Sequence, residues 1–185
     1  MAYNPRSGFS GNGGRIFYLS PSISSGIAGY KLAGVYPSEA AEQTIVTNNT
    51  GTGDTLIGSF CTPLLQPDIH SLPAGLAYRN IWCKTDGASA VARMKMELYQ
   101  RTALGIETLL RSSYSMNFFG TDEQMIHWIY ADAFDHTLAL LDRIVFKLYV
   151  ARVSGGSGSV LTTIFFEGVD RASHIVTTVD LYTGS

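Results

Sequence analysis

The feature that most constrains this chain is a series of short apolar runs, each closed by turn-forming residues. The clearest run, Val91–Tyr99, reads VARMKMELY and alternates apolar with polar side chains from Ala92 onward. Side chains of a β-strand point alternately to opposite faces, so this period of two predicts a strand with one buried and one wet face. Roughly eleven such runs follow one another at intervals of about 10 to 15 residues.

These runs, with no long helical periodicity between them, predict an all-β domain. Two long connections, residues 63–73 and 112–123, suit Greek-key crossovers better than a simple meander. We therefore predict a jelly-roll β-sandwich of about 8 to 11 short antiparallel strands. A chain of 185 residues fits one such domain, which we place at residues 14–185.

Residues 1–13 are mostly Gly, Ser, Asn and Pro. Such a composition predicts a flexible arm rather than a folded element. The arm carries two aromatic residues, Tyr3 and Phe9, which are the candidate anchors for attachment to another component. A frayed terminus is the alternative that this composition leaves open.

The charge composition argues against several classes of partner. Charged residues make up 15% of the chain and the net charge is −2, with no run of Lys or Arg. A nucleic-acid-binding protein usually carries a basic stripe that neutralises phosphates, so we predict no nucleic-acid partner. No apolar run reaches about 18 residues, so we predict no membrane insertion. The first residues lack the apolar region of a secretory signal, which predicts synthesis in a cytosol.

The two cysteines, Cys61 and Cys83, form no metal-binding motif. Each lies in an apolar stretch, and a cytosolic compartment disfavours disulfides. We therefore predict two buried free thiols, with a disulfide between them as the less favoured alternative.

The stretch Asp142–Gly168, DRIVFKLYVARVSGGSGSVLTTIFFEG, reads as two strands around a Gly/Ser turn, which predicts a β-hairpin. Both faces of this predicted hairpin carry apolar side chains, whereas a strand bordering one core should be polar on its other face. An apolar outer face of a sandwich indicates self-association, because leaving it wet would forgo roughly 1.5–3 kcal/mol per large side chain.

Six residues of the second face form the predicted interface between copies of the chain: Val145, Lys147, Tyr149, Leu161, Phe165 and Glu167. Within this set, Lys147 and Glu167 would pair across the boundary between copies. A strongly curved sheet, covered on its outer side by the chain's own loops, is the alternative.

The chain has no nucleophile elbow and no phosphate-binding P-loop. Its four histidines include no pair at H-x-H or H-x-x-x-H spacing: His70, His127, His136 and His174. We therefore predict no catalytic residue, no metal, no cofactor and no enzyme activity. A cupin-like metalloenzyme, using His127, His174 and a carboxylate as ligands, is the enzymatic alternative.

The loop DAFDH is a candidate for an ion site. It brings Asp132, Asp135 and His136 close together in sequence, and Ca²⁺ prefers oxygen ligands such as carboxylates. Surface loops also collect carboxylates without binding an ion, so an empty loop is the alternative.

Three aromatic residues lie in predicted loops: Tyr36, Phe118 and Phe119. Exposed rings can stack on sugar rings or anchor an interface. These three residues are the candidate glycan-binding residues, and a carbohydrate-binding module is the second functional hypothesis.

Five stretches carry a resemblance to a known family: GRIFYLSPS, IGSFCTP, LPAGLAYRNIW, LLDRIVFKLYVAR and FFEGVDRASHIVTT. They resemble small jelly-roll proteins of tailed-bacteriophage virions, over residues 14–178. These motifs are strand and turn patterns rather than catalytic signatures.

The resemblance implies a homotrimeric β-sandwich on the surface of a phage particle. Residues 1–13 would attach it to capsid or tail components, and distal loops would touch a host surface glycan. The chain lacks the repeats of a long fibre. The first functional hypothesis is therefore a non-enzymatic virion structural protein, either a capsid decoration (cement) protein or a short fibre tip, located in the virion.

Overall fold

The structure is a computed structural model, and it describes residues 14–64, 69–87, 89–132, 134–154, 158–168, 170–178 and 180–181. Over these residues the chain forms strands and no α-helix, which confirms the predicted all-β class. None of the described residues belongs to a helix long and apolar enough to cross a membrane.

The strands lie where apolar and polar residues alternate along the chain. The strands are β1 (Gly14–Ser24), β2 (Lys31–Gly34), β3 (Gln43–Asn49), β4 (Thr55–Cys61), β5 (Ile69–Leu72), β6 (Gly75–Thr85), β7 (Val91–Arg101), β8 (Glu107–Tyr114), β9 (Phe118–Phe119), β10 (Gln124–Asp132), β11 (His136–Thr137), β12 (Arg143–Ser154), β13 (Val160–Phe166), β14 (His174–Thr178) and β15 (Asp180–Leu181).

Twelve of these strands form one large sheet that folds over on itself as a sandwich. Its strand order is β3-β13-β6-β14-β1-β2-β4-β12-β7-β8, with β10 paired to β6 and β9 paired to β7. We call β3, β13, β6, β10, β14 and β1 the first layer, and β2, β4, β12, β7, β8 and β9 the second layer. Strands β11, β5 and β15 form a separate small sheet.

The sheet passes from one layer to the other where β1 pairs with β2. The register of this pair shifts between Ser20 and Ser24, and such an irregularity bends a strand. Strands β2 and β4 then pair in parallel, whereas the sequence predicted antiparallel strands alone. Every other strand pair is antiparallel in the part of the chain that the structure describes.

The core lies between the two layers and is filled by the inward-facing residues of each strand. Phe17 of the first layer meets Phe146 of the second, with ring centres 5.4 Å apart. Phe60 and Phe166 meet in the same way at 5.6 Å. Tilted aromatic pairs at this spacing add stability beyond the apolar area that they bury.

The predicted hairpin at 142–168 is wrong. Strand β12 pairs with β4 and β7, and β13 pairs with β3 and β6, so the two strands lie in opposite layers. Their apolar inner faces therefore oppose each other across the core. This burial of both inner faces is possible because the two strands do not pair with each other.

Short strands account for most of the other differences from the sequence prediction. Phe118–Phe119 and His136–Thr137 are two-residue strands where the sequence predicted a loop and a loop or short helix. Cys61 and Cys83 are buried free thiols, as predicted, and burial raises the pKa of both. The predicted anchors Tyr3 and Phe9 lie outside the described residues.

We expect Phe146→Ala to lower the free energy of unfolding by about 3–5 kcal/mol, because it leaves a cavity between the layers. Urea denaturation of the purified chain measures this change. Val46→Ala, at a residue 53% exposed on β3, is the matched control and should change stability by less than about 0.5 kcal/mol. Equal losses for the two variants would contradict the described core.

Candidate functional site

Part of the outer face of the second layer is covered by side chains of the chain itself. Lys147 on β12 places its Nζ 2.7 Å from Glu107 Oε2 and 4.3 Å from the centre of the Tyr99 ring. Glu107 Oε1 accepts a hydrogen bond of 2.5 Å from the Tyr30 hydroxyl and lies 3.3 Å from Arg101 Nη1. Two cations and a phenol therefore share one carboxylate.

A second carboxylate on this face is held in a similar way. Glu97 Oε1 lies 2.8 Å from Lys95 Nζ, and Glu97 Oε2 accepts a 2.7 Å hydrogen bond from the Tyr99 hydroxyl. Lys95 also pairs with Asp54 at 3.0 Å and lies over the Tyr149 ring. We name the whole set the Lys–Glu–Tyr network: Tyr30, Lys95, Glu97, Tyr99, Arg101, Glu107, Lys147 and Tyr149.

These contacts shift the pKa values of the network. Burial alone would raise the pKa of Glu107, but hydrogen bonds from Lys147 and Tyr30, with the charges of Lys147 and Arg101, outweigh it and hold that pKa below its usual range. Burial and the hydrogen bond to Glu97 raise the pKa of Tyr99 to about 12. Both carboxylates of the network, Glu97 and Glu107, are thus already paired inside the chain.

The network helps to explain how the second face of the stretch 142–168 is covered. Val145, on the outer side of β12, is fully buried within the single chain. Lys147 pairs with Glu107, and Glu167 is buried with its Oε1 accepting a 2.7 Å hydrogen bond from the Ser22 hydroxyl. The expected Lys147–Glu167 pair between copies is therefore wrong, because each residue has its own partner inside the chain.

The remaining members of the predicted interface divide between surface and interior. Phe165 is buried beneath Arg171, whose guanidinium lies 4.7 Å from the ring centre. Tyr149 is half-buried in the Lys–Glu–Tyr network, and Leu161 is exposed. Burial therefore does not require a second copy at Val145, Phe165 or Glu167, and contact between copies through this set stays a prediction.

We expect Glu107→Gln to destabilise the chain near about pH 7 and to have a much smaller effect near about pH 3. A carboxyl whose pKa is lowered by folding adds stability above its unfolded pKa of about 4.3, and that stability is lost as the pH falls through the folded value. Urea denaturation across this range measures the difference. Glu39→Gln, at an exposed carboxylate, is the control. If Glu107→Gln lowered the free energy of unfolding equally at both pH values, the lowered pKa of Glu107 would be contradicted.

The outer face of the first layer is built differently. Its strands β10, β6, β14 and β1 align four residues in one row, since His127 is opposite Asn80, Asn80 is opposite His174, and His174 is opposite Tyr18. Apolar rows flank this polar row on both sides. We name the three rows together the His–Asn face: Met125, Trp82 and Phe165; His127, Asn80, His174 and Tyr18; Ile129, Tyr78, Val176 and Ile16.

Hydrogen bonds along the polar row run in one direction. The Ala172 carbonyl oxygen can only accept, so His174 Nδ1, 2.9 Å away, carries a hydrogen. His174 Nε2 then accepts from Asn80 Nδ2 at 3.0 Å. Asn80 Oδ1 in turn accepts from His127 Nδ1 at 2.6 Å. The row therefore places a hydrogen on Nδ1 of each imidazole, and in a neutral His127 ring this leaves Nε2 as a hydrogen-bond acceptor.

His127 is exposed, and its ring is held in place from two sides. Asn80 holds its Nδ1, and the Tyr78 ring stacks on it with centres 5.7 Å apart and planes 28° apart. An oriented imidazole with one acceptor nitrogen open to solvent is the arrangement that a general base requires. Asn80 takes the orienting position that an amide or carboxylate takes behind a catalytic histidine.

The sequence analysis weighed His127 and His174 as metal ligands but missed Asn80. Both histidines turn a nitrogen toward Asn80, which lies between them on β6. Among the described residues, no group of three His, Cys, Asp or Glu side chains is placed to hold a metal ion. An isolated Asn carries no sequence signal of this role, since only the strand register brings it between the two rings.

The other sequence-predicted site residues are scattered. Phe118 is buried in the core, so the prediction that it binds glycans is wrong, while Tyr36 and Phe119 are exposed. Asp135 Oδ1 accepts a 2.6 Å hydrogen bond from the Ala74 backbone N–H, which ties the DAFDH loop to the start of β6. The side chain of Asp132 lies outside the described part of the structure.

The hydroxyl of Ser173 is the nucleophile candidate on the strands around His127. Ser173 lies on the neighbouring segment, but it is fully buried. Its hydroxyl donates to the Phe165 carbonyl oxygen at 2.6 Å and accepts from the Trp82 N–H at 3.1 Å. Ser173 therefore joins strands and is not available as a nucleophile for His127.

No protein-family model matches the chain, and no curated protein sequence matches it. Solved structures do share its fold. A CocE/NonD family hydrolase from Staphylococcus aureus aligns with a TM-score of 0.59, at 8% identity. An α-amino acid ester hydrolase aligns at 0.58 and 10% identity, and an aminopeptidase from a marine sediment Thaumarchaeota archaeon aligns at 0.57 and 10% identity.

Each of these alignments covers 90% of this chain and 36% of the hydrolase. The chain thus spans about a third of the length of the hydrolases it matches, and at such low identity the likeness concerns the fold. A structure of infectious bursal disease virus (Gt strain) aligns over 100% of this chain and 42% of its own, at 11% identity, but its TM-score of 0.39 is too low to support an argument.

These comparisons contradict two sequence predictions, a non-enzymatic virion structural protein and the absence of enzyme activity. The solved structures that share this fold at TM-scores of 0.57 to 0.59 are hydrolases. Strand and turn patterns carried the virion resemblance, and such patterns report the sandwich rather than its use. The homotrimer, the capsid or tail partners and the host glycan stay predictions.

We expect the neutral form of His127 in the folded chain to carry its hydrogen on Nδ1 and none on Nε2. Two-bond ¹⁵N–¹H correlation spectra of the imidazoles at neutral pH distinguish the two nitrogens. Asn80→Leu should release this preference, because no acceptor then faces Nδ1. A His127 signal with the hydrogen on Nε2 in the wild-type chain would contradict the direction of the hydrogen-bond row.

Proposed function

We propose that this chain hydrolyses ester bonds at the His–Asn face, with His127 Nε2 as the general base. The observation that carries the proposal is the one-directional row from Ala172 through His174 and Asn80. It ends at a single open acceptor atom on an exposed, oriented imidazole. The fold likeness to hydrolases supports the same class of reaction.

The reaction uses water as the nucleophile. His127 Nε2 accepts a proton from a water molecule while the water oxygen bonds to the ester carbonyl carbon. The bond to the alcohol oxygen then breaks, and the imidazolium returns the proton to that leaving oxygen, which yields one acid and one alcohol. Base catalysis of this kind contributes about 10²–10⁴-fold to the rate.

The surroundings of His127 suit the charge that it gains. Asn80 Oδ1 accepts from Nδ1, and this hydrogen bond becomes charge-assisted when the ring is protonated. The stacked Tyr78 ring presents its electron-rich face to the imidazolium. Asn80 acts here as a positioning residue, since it touches His127 and not the reacting atoms.

Initial rates with p-nitrophenyl butyrate test the proposal. His127→Gln should lower kcat/KM by about 10² or more, because it removes the base. His136→Gln is the matched control, since it deletes another imidazole on strand β11 and corrects for unspecific catalysis by surface histidines. Asn80→Leu should lower kcat with little change in KM.

Two results would overturn the proposal. One is a His127→Gln rate equal to that of the wild-type chain. The other is an equal loss in His136→Gln, which would assign the rate to imidazole groups in general. Circular dichroism of each variant separates loss of the base from loss of the fold.

A further inference from the structure

We infer, resting on the proposed function, that the His–Asn face selects esters with an uncharged, straight aliphatic acyl chain. The inference comes from what lies along the strand on either side of His127. Its neighbours on the same face of β10 are Met125 and Ile129, which are 46% and 53% exposed. Large aliphatic side chains this exposed, in register beside an open base, form a surface that an acyl chain would cover.

The apolar surface continues away from His127 in one direction. Beyond the row of Ile129 and Tyr78 lies Leu76, which is 49% exposed and faces the same side of β6. Leu76 precedes Asn80 by four positions, so the surface extends roughly 13 Å from the His127 row at about 3.3 Å per residue. That length accommodates an extended acyl chain of medium length lying along the strands.

The face carries no charge that would recognise an ammonium or carboxylate group on the acyl chain. None of the residues of the three rows, nor Leu76, is Asp, Glu, Lys or Arg. An ammonium group lying over these rows would lose hydration without gaining a counter-ion from them, because the Asp135 carboxylate lies beyond Leu76, at Ala74. The composition of the face therefore separates neutral acyl chains from charged ones.

Beyond the Met125 row lie charged side chains that are already paired. Lys84 Nζ lies 3.4 Å from Glu123 Oε1, and Arg171 Nε lies 2.7 Å from Glu42 Oε2. Arg171 also pairs with Glu123. These four residues close one end of the face with a neutral set of ion pairs, so an acyl chain is directed toward Leu76 instead.

A series of p-nitrophenyl esters of the straight-chain acids from acetate to octanoate tests the inference on the full chain. A fully buried methylene is worth about fourfold, so one lying on a flat face should raise kcat/KM by about twofold. The ω-aminooctanoate ester should react more slowly than octanoate. Ile129→Ser should lower the ratio of octanoate to acetate rates, while Leu109→Ser, on the outer side of the other layer, should leave it unchanged.

Binding without turnover is measured separately by the fluorescence of Trp82, with octanamide as the probe. Trp82→Phe is the control, because its remaining fluorescence comes from the second tryptophan, Trp128. Saturable quenching that Ile129→Ser weakens supports acyl recognition even where no ester is hydrolysed, and in that case the proposed function alone fails. Hydrolysis that depends on His127 but not on acyl length overturns this inference alone. Neither quenching nor hydrolysis overturns both.

Discussion

Every strand of this sandwich has two faces, and the core can cover only one of them. The pairs Phe17–Phe146 and Phe60–Phe166 close the inner faces, and the fold depends on that contact between layers. The two outer faces differ in the side chains that occupy them. On the second layer the Lys–Glu–Tyr network pairs both of its carboxylates inside the chain, with Leu109 exposed beside it, whereas the first layer combines exposed aliphatic side chains with one open imidazole nitrogen.

The sequence was informative wherever the signal was local. Alternation over Val91–Tyr99 gave strand β7 within two residues of its end, and apolar context correctly indicated two buried thiols. Which strands pair with each other could not be predicted from local patterns. Strands β12 and β13 are joined by a short Gly/Ser segment that is typical of a hairpin, yet each gains more by pairing with strands distant in sequence and facing the other across the core.

The same limit applies to the outer faces. We predicted that Lys147 pairs with a residue of another copy, because the sequence around it does not indicate its partner Glu107, which is 40 residues away. His127 was visible as one histidine among four, but Asn80 is 47 residues from it and carries no pattern of its own. The sequence analysis therefore considered His127 only as a metal ligand, because its orientation beside Asn80 depends on a register that only the folded sheet supplies.

The polar row also explains why an amide, and not a carboxylate, lies between the two imidazoles. An aspartate at position 80 would accept hydrogen bonds on both sides, and His174 would then need a second proton on the nitrogen that faces it. A leucine would leave Nδ1 of His127 without an acceptor. Asn80 donates to one ring and accepts from the other, so the direction set at the Ala172 carbonyl is carried across two strands without adding a charge.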